Sequence, residues 1–393
     1  AAGGFTIWSQ SYNRELGRIF EMQEEIATEV AGRIGVSLGV GGVNAFHGAG
    51  TNNIDAYEAY LQARVNDWST GKEPIPLLER AIELDPNYAV AWAALANRVL
   101  VAIWETPDQT WEIVERAHEL ALRGAQLDPE SAGVQSVLAL IRMIQFDFIG
   151  SEQGHAQAIE LFPDRPTIER YALMLVRSGR IAYAQEQLEI AMTLEPLGGR
   201  PTAFAWHASL AQGHIAEAQE RSNWQSGEAN TIENNLDIAF NQNDPEALKA
   251  AIRAIPEANL SNFDPDGRNK PLNLSYINLF GPLLAEFDSP ERALSILRDV
   301  YQDESVRWAR KRHDVAMAAA YFGDPRFALT VKGEEVRISP VRMSAVWYPV
   351  MSEVRRLPEF KELVSDLNLV EYWRVYGWAD YCEPMGENDF TCM

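Results

Sequence analysis

Apolar and polar residues recur along this chain with the period of a helix, most clearly between residues 79 and 100. A helix ending in Leu84-Asp85-Pro86 is followed at once by a second with Trp92, Leu95 and Ala96 on one face, which predicts a helix-turn-helix brick. The same period appears near the start. Leu16, Ile19, Phe20, Ile26, Val30 and Ile34 share a face, leaving Glu15, Glu21, Glu24, Glu25 and Glu29 for the other side. Asn13 is positioned to cap that helix, and residues 1 to 12 read as a short extended piece carrying Phe5, Ile7 and Trp8.

From residue 51 onward the pattern is helices separated by short turns, and prolines mark its phase. Pro86, Pro129, Pro163 and Pro196 stand 43, 34 and 33 residues apart. Two residues before each is a leucine (Leu84, Leu127, Leu161, Leu194), and five before is a small residue (Ala81, Gly124, Ala158, Ala191). A small side chain lets one helix of a pair approach the other closely, the leucine seals the end, and proline cannot continue the helix. The long first interval predicts an insertion around Ala102 to Asp108, between the two helices of that unit. A second marker keeps the 34-residue step: residues 179–186, opening Gly179-Arg180-Ile181-Ala182, recur at 213–220 as Gly213-His214-Ile215-Ala216. Further on the pattern weakens. Asp244-Pro245, Ser289-Pro290 and Asp324-Pro325 still read as helix starts, with Ala293 and Ala318 as close-contact positions.

The period, and Trp92-x-x-Leu95-Ala96 followed by small residues and a Leu-Asp-Pro ending, resemble the tetratricopeptide repeat, a 34-residue helical hairpin. The resemblance implies an all-α, right-handed superhelical solenoid of hairpins. Its divisions are 53–225 as clear repeats and 226–370 as degenerate ones. Residues 1–38, with Phe5-x-Ile7-Trp8-Ser9-x-x-Tyr12-x-Arg14-Glu15-Leu16, look like the last strand and helix of a TolB-like α/β domain. Residues 39–52 read as a Gly-rich linker. The tail, 371–393, with Tyr372-Trp373-x-x-Tyr376-Gly377-Trp378 and Cys382, is similar to endings found in CadC-like and adenylate cyclase-associated regulators, where such repeats follow a TolB-like domain. In such a setting the chain is a non-enzymatic interaction or sensory module of a bacterial signalling regulator. The alternative is a constitutive scaffold subunit of a larger complex, tethered at a membrane or not.

Stacked hairpins line a concave groove with their first helices. The residues 7, 11 and 14 after three of the marker prolines give Ala93, Asn97 and Leu100; Ser136, Leu140 and Met143; and Ala203, His207 and Leu210. Such a groove, mostly apolar with polar handles, suits a protein segment or peptide. The same positions also suit plain core filling. The aromatic residues of the tail, Trp373, Tyr376, Trp378, Tyr381 and Phe390, are expected to fold back over the open end of the solenoid.

Composition narrows the function. With 393 residues, 47% hydrophobic, the chain can bury a large core. Its formal charge of −22 repels phosphate backbones and argues against nucleic-acid binding. No run approaches the roughly 18 apolar residues of a membrane span. The cysteines, Cys382 and Cys392, fit either two free thiols in a reducing cytoplasm or a disulfide in a periplasmic or membrane-associated setting. No catalytic site, metal site or cofactor is predicted. His47, His118, His155, His207, His214 and His313 show no metal-ligand or nucleophile spacing. Residues 262–273 resemble a calcium loop, but Asn273 stands where a bidentate glutamate is needed. The glycines of 39–50 are not followed by the Lys-Ser/Thr of a phosphate loop.

Overall fold

The computed structural model describes residues 50–65, 74–104, 106–194, 205–223, 228–257, 276–305, 310–386 and 389–393. The predicted α/β remnant at 1–38, most of the Gly-rich linker and the loop 262–273 lie outside the described residues.

The described chain is an all-α solenoid of antiparallel hairpins ending in a small β-hairpin. Its first half contains α1 (Ile54–Val65) with α2 (Pro74–Leu84), α3 (Ala89–Val101) with α4 (Thr110–Leu127), α5 (Ala132–Ile144) with α6 (Phe148–Leu161), and α7 (Arg165–Ser178) with α8 (Ile181–Leu194). The second half continues with α9 (Ala205–Ala211) and α10 (Ile215–Ser222), then α11 (Glu228–Asn241) and α12 (Pro245–Glu257). A short π-helix (Tyr276–Phe280) leads into α13 (Gly281–Ala285) and α14 (Pro290–Gln302), and α15 (Lys311–Tyr321) pairs with α16 (Pro325–Ile338).

Local chemistry accounts for where these helices begin and end. α2, α4, α6 and α8 all stop at the leucine two residues before a marker proline, since the residue preceding a proline is steered out of the helical region. Starts are capped by carboxylates: Asp147 accepts from the Gly150 amide, Asp164 from Thr167 and Asp324 from Phe327. The predicted insertion holds two short 3₁₀ turns, Ala102–Trp104 and Pro107–Gln109.

The small residues five before each proline are all buried, as a close helix contact requires. Ala81, Ala158 and Ala191 are fully buried, and a Cβ on buried Gly124 would lie 3.1 Å from the Ala89 carbonyl of the paired helix. The leucines seal less completely: Leu194 is 45% exposed.

After α16 the hairpin pattern stops. Residues Pro340–Trp347 and Pro349–Met351 are 3₁₀ turns, followed by α17 (Ser352–Arg355), α18 (Pro358–Asp366) and α19 (Leu369–Tyr376). Two antiparallel strands, β1 (Cys382–Met385) and β2 (Asp389–Cys392), end the chain with Cys382 paired to Cys392 and joined to it by a disulfide.

The tail does not cover the end of the stack as expected. It turns back onto the middle, where Asn368 donates to the Phe146 carbonyl and Asp380 pairs with Gly179 and Ala182. The reason is chemical: free carbonyls at the ends of α7 and α9 match the N–H and O–H donors that the tail aromatics carry.

Candidate functional site

The described residues of the predicted row stand on α3, α5 and α9, the first helices of their hairpins. Ala93 and Leu100 on α3, Ser136, Leu140 and Met143 on α5, and Leu210 on α9 are buried; Asn97 and His207 are half-buried, and Ala203 lies outside the described residues. Most of the row therefore serves packing, and only Asn97 and His207 keep polar atoms near the surface. What covers it is the next repeat. Arg170 Nη1 donates to Ser136 Oγ at 3.2 Å, and Arg177 Nη1 approaches Met143 Sδ at 3.3 Å, each across 34 residues. Arg170, Met174 and Arg177 stand 7, 11 and 14 residues after Pro163. They obey the rule that produced the row, so applying it at that proline would have found them. Arg177 is 2% exposed, and burial pushes its guanidinium down to about 9.

α11, α15, α16 and the 3₁₀ segment bring eight buried or nearly buried charged and imidazole groups together. Arg310 bridges Asp237 (2.7 Å), Asp314 (3.2 Å) and Glu233 (3.2 Å). Burial alone would raise the Asp237 carboxyl, but Arg310 and His313 hold it well below the usual carboxylate range. His313 Nε2 lies 2.9 Å from Asp237 and its Nδ1 3.3 Å from Lys332 Nζ. Burial pushes this imidazole down to about 4, so it is neutral at physiological pH. A neutral ring donates from one nitrogen only; with Asp237 an acceptor and Lys332 a donor, the proton sits on Nε2. Lys332 bonds Glu335 at 2.5 Å, and Arg342 lies 3.6 Å from the same carboxylate. Burial would raise the Glu335 carboxyl, yet Lys332, His313 and Arg342 hold it below its ordinary value.

The His–Asp pair superficially suggests general-base chemistry. The geometry assigns it a structural role: Asp237, His313 and Lys332 are each at most 4% exposed and spent on one another. Among the described residues no group of three His, Cys, Asp or Glu is placed to hold a metal ion.

The C-terminal segment closes the site like a clasp. Trp347 Nε1 donates to the Arg177 carbonyl (3.0 Å), Trp373 Nε1 to that of Ser178 (2.8 Å) and Tyr381 Oη to that of Ala211 (2.6 Å). These are terminal carbonyls of α7 and α9, which have no partner within their own helix. At the other side of the bend, Asp380 Oδ2 accepts from the Ala182 amide at the start of α8 (2.6 Å). Glu152 takes hydrogen bonds from Tyr171 and Tyr372, and Arg180 donates to Tyr372 Oη at 2.9 Å. Tyr348 Oη bonds His207 Nδ1, filling one of the predicted polar handles with the chain's own side chain. Gly179 makes this approach possible. Its φ is +84°, and a Cβ there would fall 2.7 Å from the Trp347 ring and 2.8 Å from Ala379.

No protein-family profile matches the chain, and no curated protein matches it in sequence. Solved structures similar to it include a chain of "Structure of Naa15/Naa10 bound to HypK-THB". That match has a TM-score of 0.27 and 14% identity, covering 83% of this chain and 53% of that one, so this chain spans about half its length. Another is the TPR domain of P58(IPK), with a TM-score of 0.23 and 12% identity, covering 83% and 94%. At these values the repeat assignment rests on this chain's own hairpins. No helix among the described residues is long and apolar enough to cross a membrane.

Proposed function

We propose that this chain is a non-enzymatic interaction module that receives a protein segment along its concave wall. The observation that carries the reading is the 34-residue register of wall contacts, Ser136 with Arg170 and Met143 with Arg177. A row repeated at the spacing of the hairpins matches an extended or helical segment lying across several units. Asn97 and Arg170 are the polar positions such a segment meets, His207 being bonded to Tyr348. The excess of carboxylates disfavours nucleic acid as the partner. Within the regulator suggested by the sequence resemblance, occupancy of the wall would be passed to an output domain elsewhere.

A photo-crosslinking residue at Asn97, compared with one at the exposed Glu119 of α4, tests this reading. Adducts of one defined protein at Asn97 but not at Glu119 are expected. Equal capture at both positions, or at neither, overturns it.

A constitutive scaffold subunit is the second reading. It is favoured by the self-filled portion of the wall at His207 and Tyr348, which leaves less room for a ligand that comes and goes. Fixed stoichiometry in a purified complex would select it.

A further inference from the structure

Arg355 connects two parts of the clasp that the sequence separates. It is 3% exposed, and burial pushes its guanidinium down to about 10. Its Nη1 donates to the carbonyls of Val346 and Tyr348, both at 2.9 Å, and its Nε to the main-chain oxygen of Met393 at 2.7 Å. The charge also lies 4.6 Å from the centre of the Tyr381 ring. No Asp or Glu side chain among the described residues bonds it, so main-chain oxygens hold this buried cation, and losing one leaves it short of a partner in a poorly solvated site.

Each end of that link bears on something. Val346 and Tyr348 flank Trp347, and the Trp347 and Tyr348 side chains occupy the wall at Arg177 and His207. Met393 follows Cys392 directly, and its amide donates to the Tyr381 carbonyl at 2.8 Å. β1 and β2 have four residues each, too few for a hairpin that stands unaided in water. The disulfide, with Lys361 reaching Asp389 at 2.7 Å, keeps Met393 in place.

We infer that the Cys382–Cys392 disulfide controls, through Met393 and Arg355, whether the 345–351 strap lies on the concave wall. Reduction by a dithiol breaks the S–S bond. Two electrons and two protons pass to the cysteine sulfurs, giving two thiols, while the reductant's own thiols close to a disulfide. Freed of its covalent closure, β2 frays, Met393 leaves Arg355, and the carbonyls beside Trp347 lose their anchored donor. The strap then lifts and uncovers the Arg177 carbonyl and His207. This inference stands apart from the identity of any partner.

Hydrogen–deuterium exchange of the full chain, oxidised and after dithiothreitol, tests it. The amides of Tyr348, Val350 and Met351, which bond Ala345, Asn241 and Tyr348 in the closed form, are expected to exchange at least tenfold faster after reduction. α5 and α6 keep their protection. In the oxidised chain, Arg355→Gln is expected to free the same amides while 382–392 stays protected, and Cys382→Ser with Cys392→Ser to match the reduced form. The inference is overturned if reduction deprotects 382–393 and leaves 345–351 unchanged. It is overturned equally if the whole solenoid exchanges together, which would make the disulfide a global staple.

Discussion

Trp347 donates its indole N–H to the main-chain oxygen of Arg177 at 3.0 Å across 170 residues of sequence, and both residues are buried. The bond satisfies a carbonyl at the end of α7 that no residue of its own helix can reach. Trp347→Phe keeps most of the apolar ring but strands that carbonyl, and is expected to cost about 1–3 kcal/mol. Trp347→Ala adds a cavity and is expected to cost about 3–5 kcal/mol. Urea unfolding followed by circular dichroism measures both, and an unchanged midpoint for Trp347→Phe would show that the hydrogen bond contributes nothing.

Asp237 is the point where Arg310 and His313 converge. Removing its charge leaves a buried guanidinium with weaker partners, so Asp237→Ala is expected to destabilise by about 3–5 kcal/mol. Replacing Arg310 by Met as well should recover part of that loss. A double-mutant cycle reads the coupling, and strict additivity would mean the two groups do not depend on each other.

Acid should weaken the fold in two stages. Burial pushes His155 down to about 3 and His313 to about 4, from an ordinary 6.5. Between pH 6.5 and 4 the unfolded chain binds protons there that the folded chain refuses, so stability falls as pH drops, by about 1.4 kcal/mol per pH unit for each histidine. Asp237 and Glu335 have folded values held below the ordinary carboxylate range. Their contribution is present above about pH 4 and is lost as pH falls further. Urea midpoints at pH 7.5, 6 and 5 should descend in order, and His155→Gln with His313→Gln should flatten the slope. Midpoints independent of pH in the wild type would refute the assignment.

Two glycines on one hairpin should respond to alanine in opposite directions. Gly133, in the first turn of α5, has only Ser131 Oγ near an added Cβ, at 4.0 Å, so Gly133→Ala is expected to gain up to about 1 kcal/mol from helix propensity. A Cβ on Gly154 would lie 2.9 Å from that of Ala139 on the paired helix. Relief requires the helices to part, so Gly154→Ala is expected to lose about 1–3 kcal/mol net. Melting temperatures of the two variants compare them, and a rise in both would show that the Gly154–Ala139 approach tolerates a side chain.

The helix ends at Leu84, Leu127, Leu161 and Leu194 were legible because each depends on a proline within two residues. The bends were only partly so. Gly179, Gly213 and Gly323 turn through positive φ, as glycine permits, but Phe146 (φ 63°) and Asn243 (φ 53°) make the same kind of turn without advertising it. At Phe146 and Asn243 packing imposes a costly backbone state on residues that do not favour it, so the residue type gives no sign of the bend. The row was read from spacing with groove lining and core filling both open, and the structure buries most of it. A helix in isolation does not say how tightly its neighbour winds over it.

By itself the sequence determined the brick: the helix ends at Leu84, Leu127, Leu161 and Leu194, and the small side chains five residues before each marker proline, which the packing buries. These are contacts between residues close together along the chain, written in spacings of three, four and 34. Only the tertiary structure decided that the tail returns to the middle of the stack, that Arg355 joins Met393 to the strap, and that Asp237, His313 and Lys332 neutralise one another. Those pairings span tens to hundreds of residues and follow from which donors and acceptors are left over once the helices are packed, and no periodic pattern in the sequence encodes that remainder.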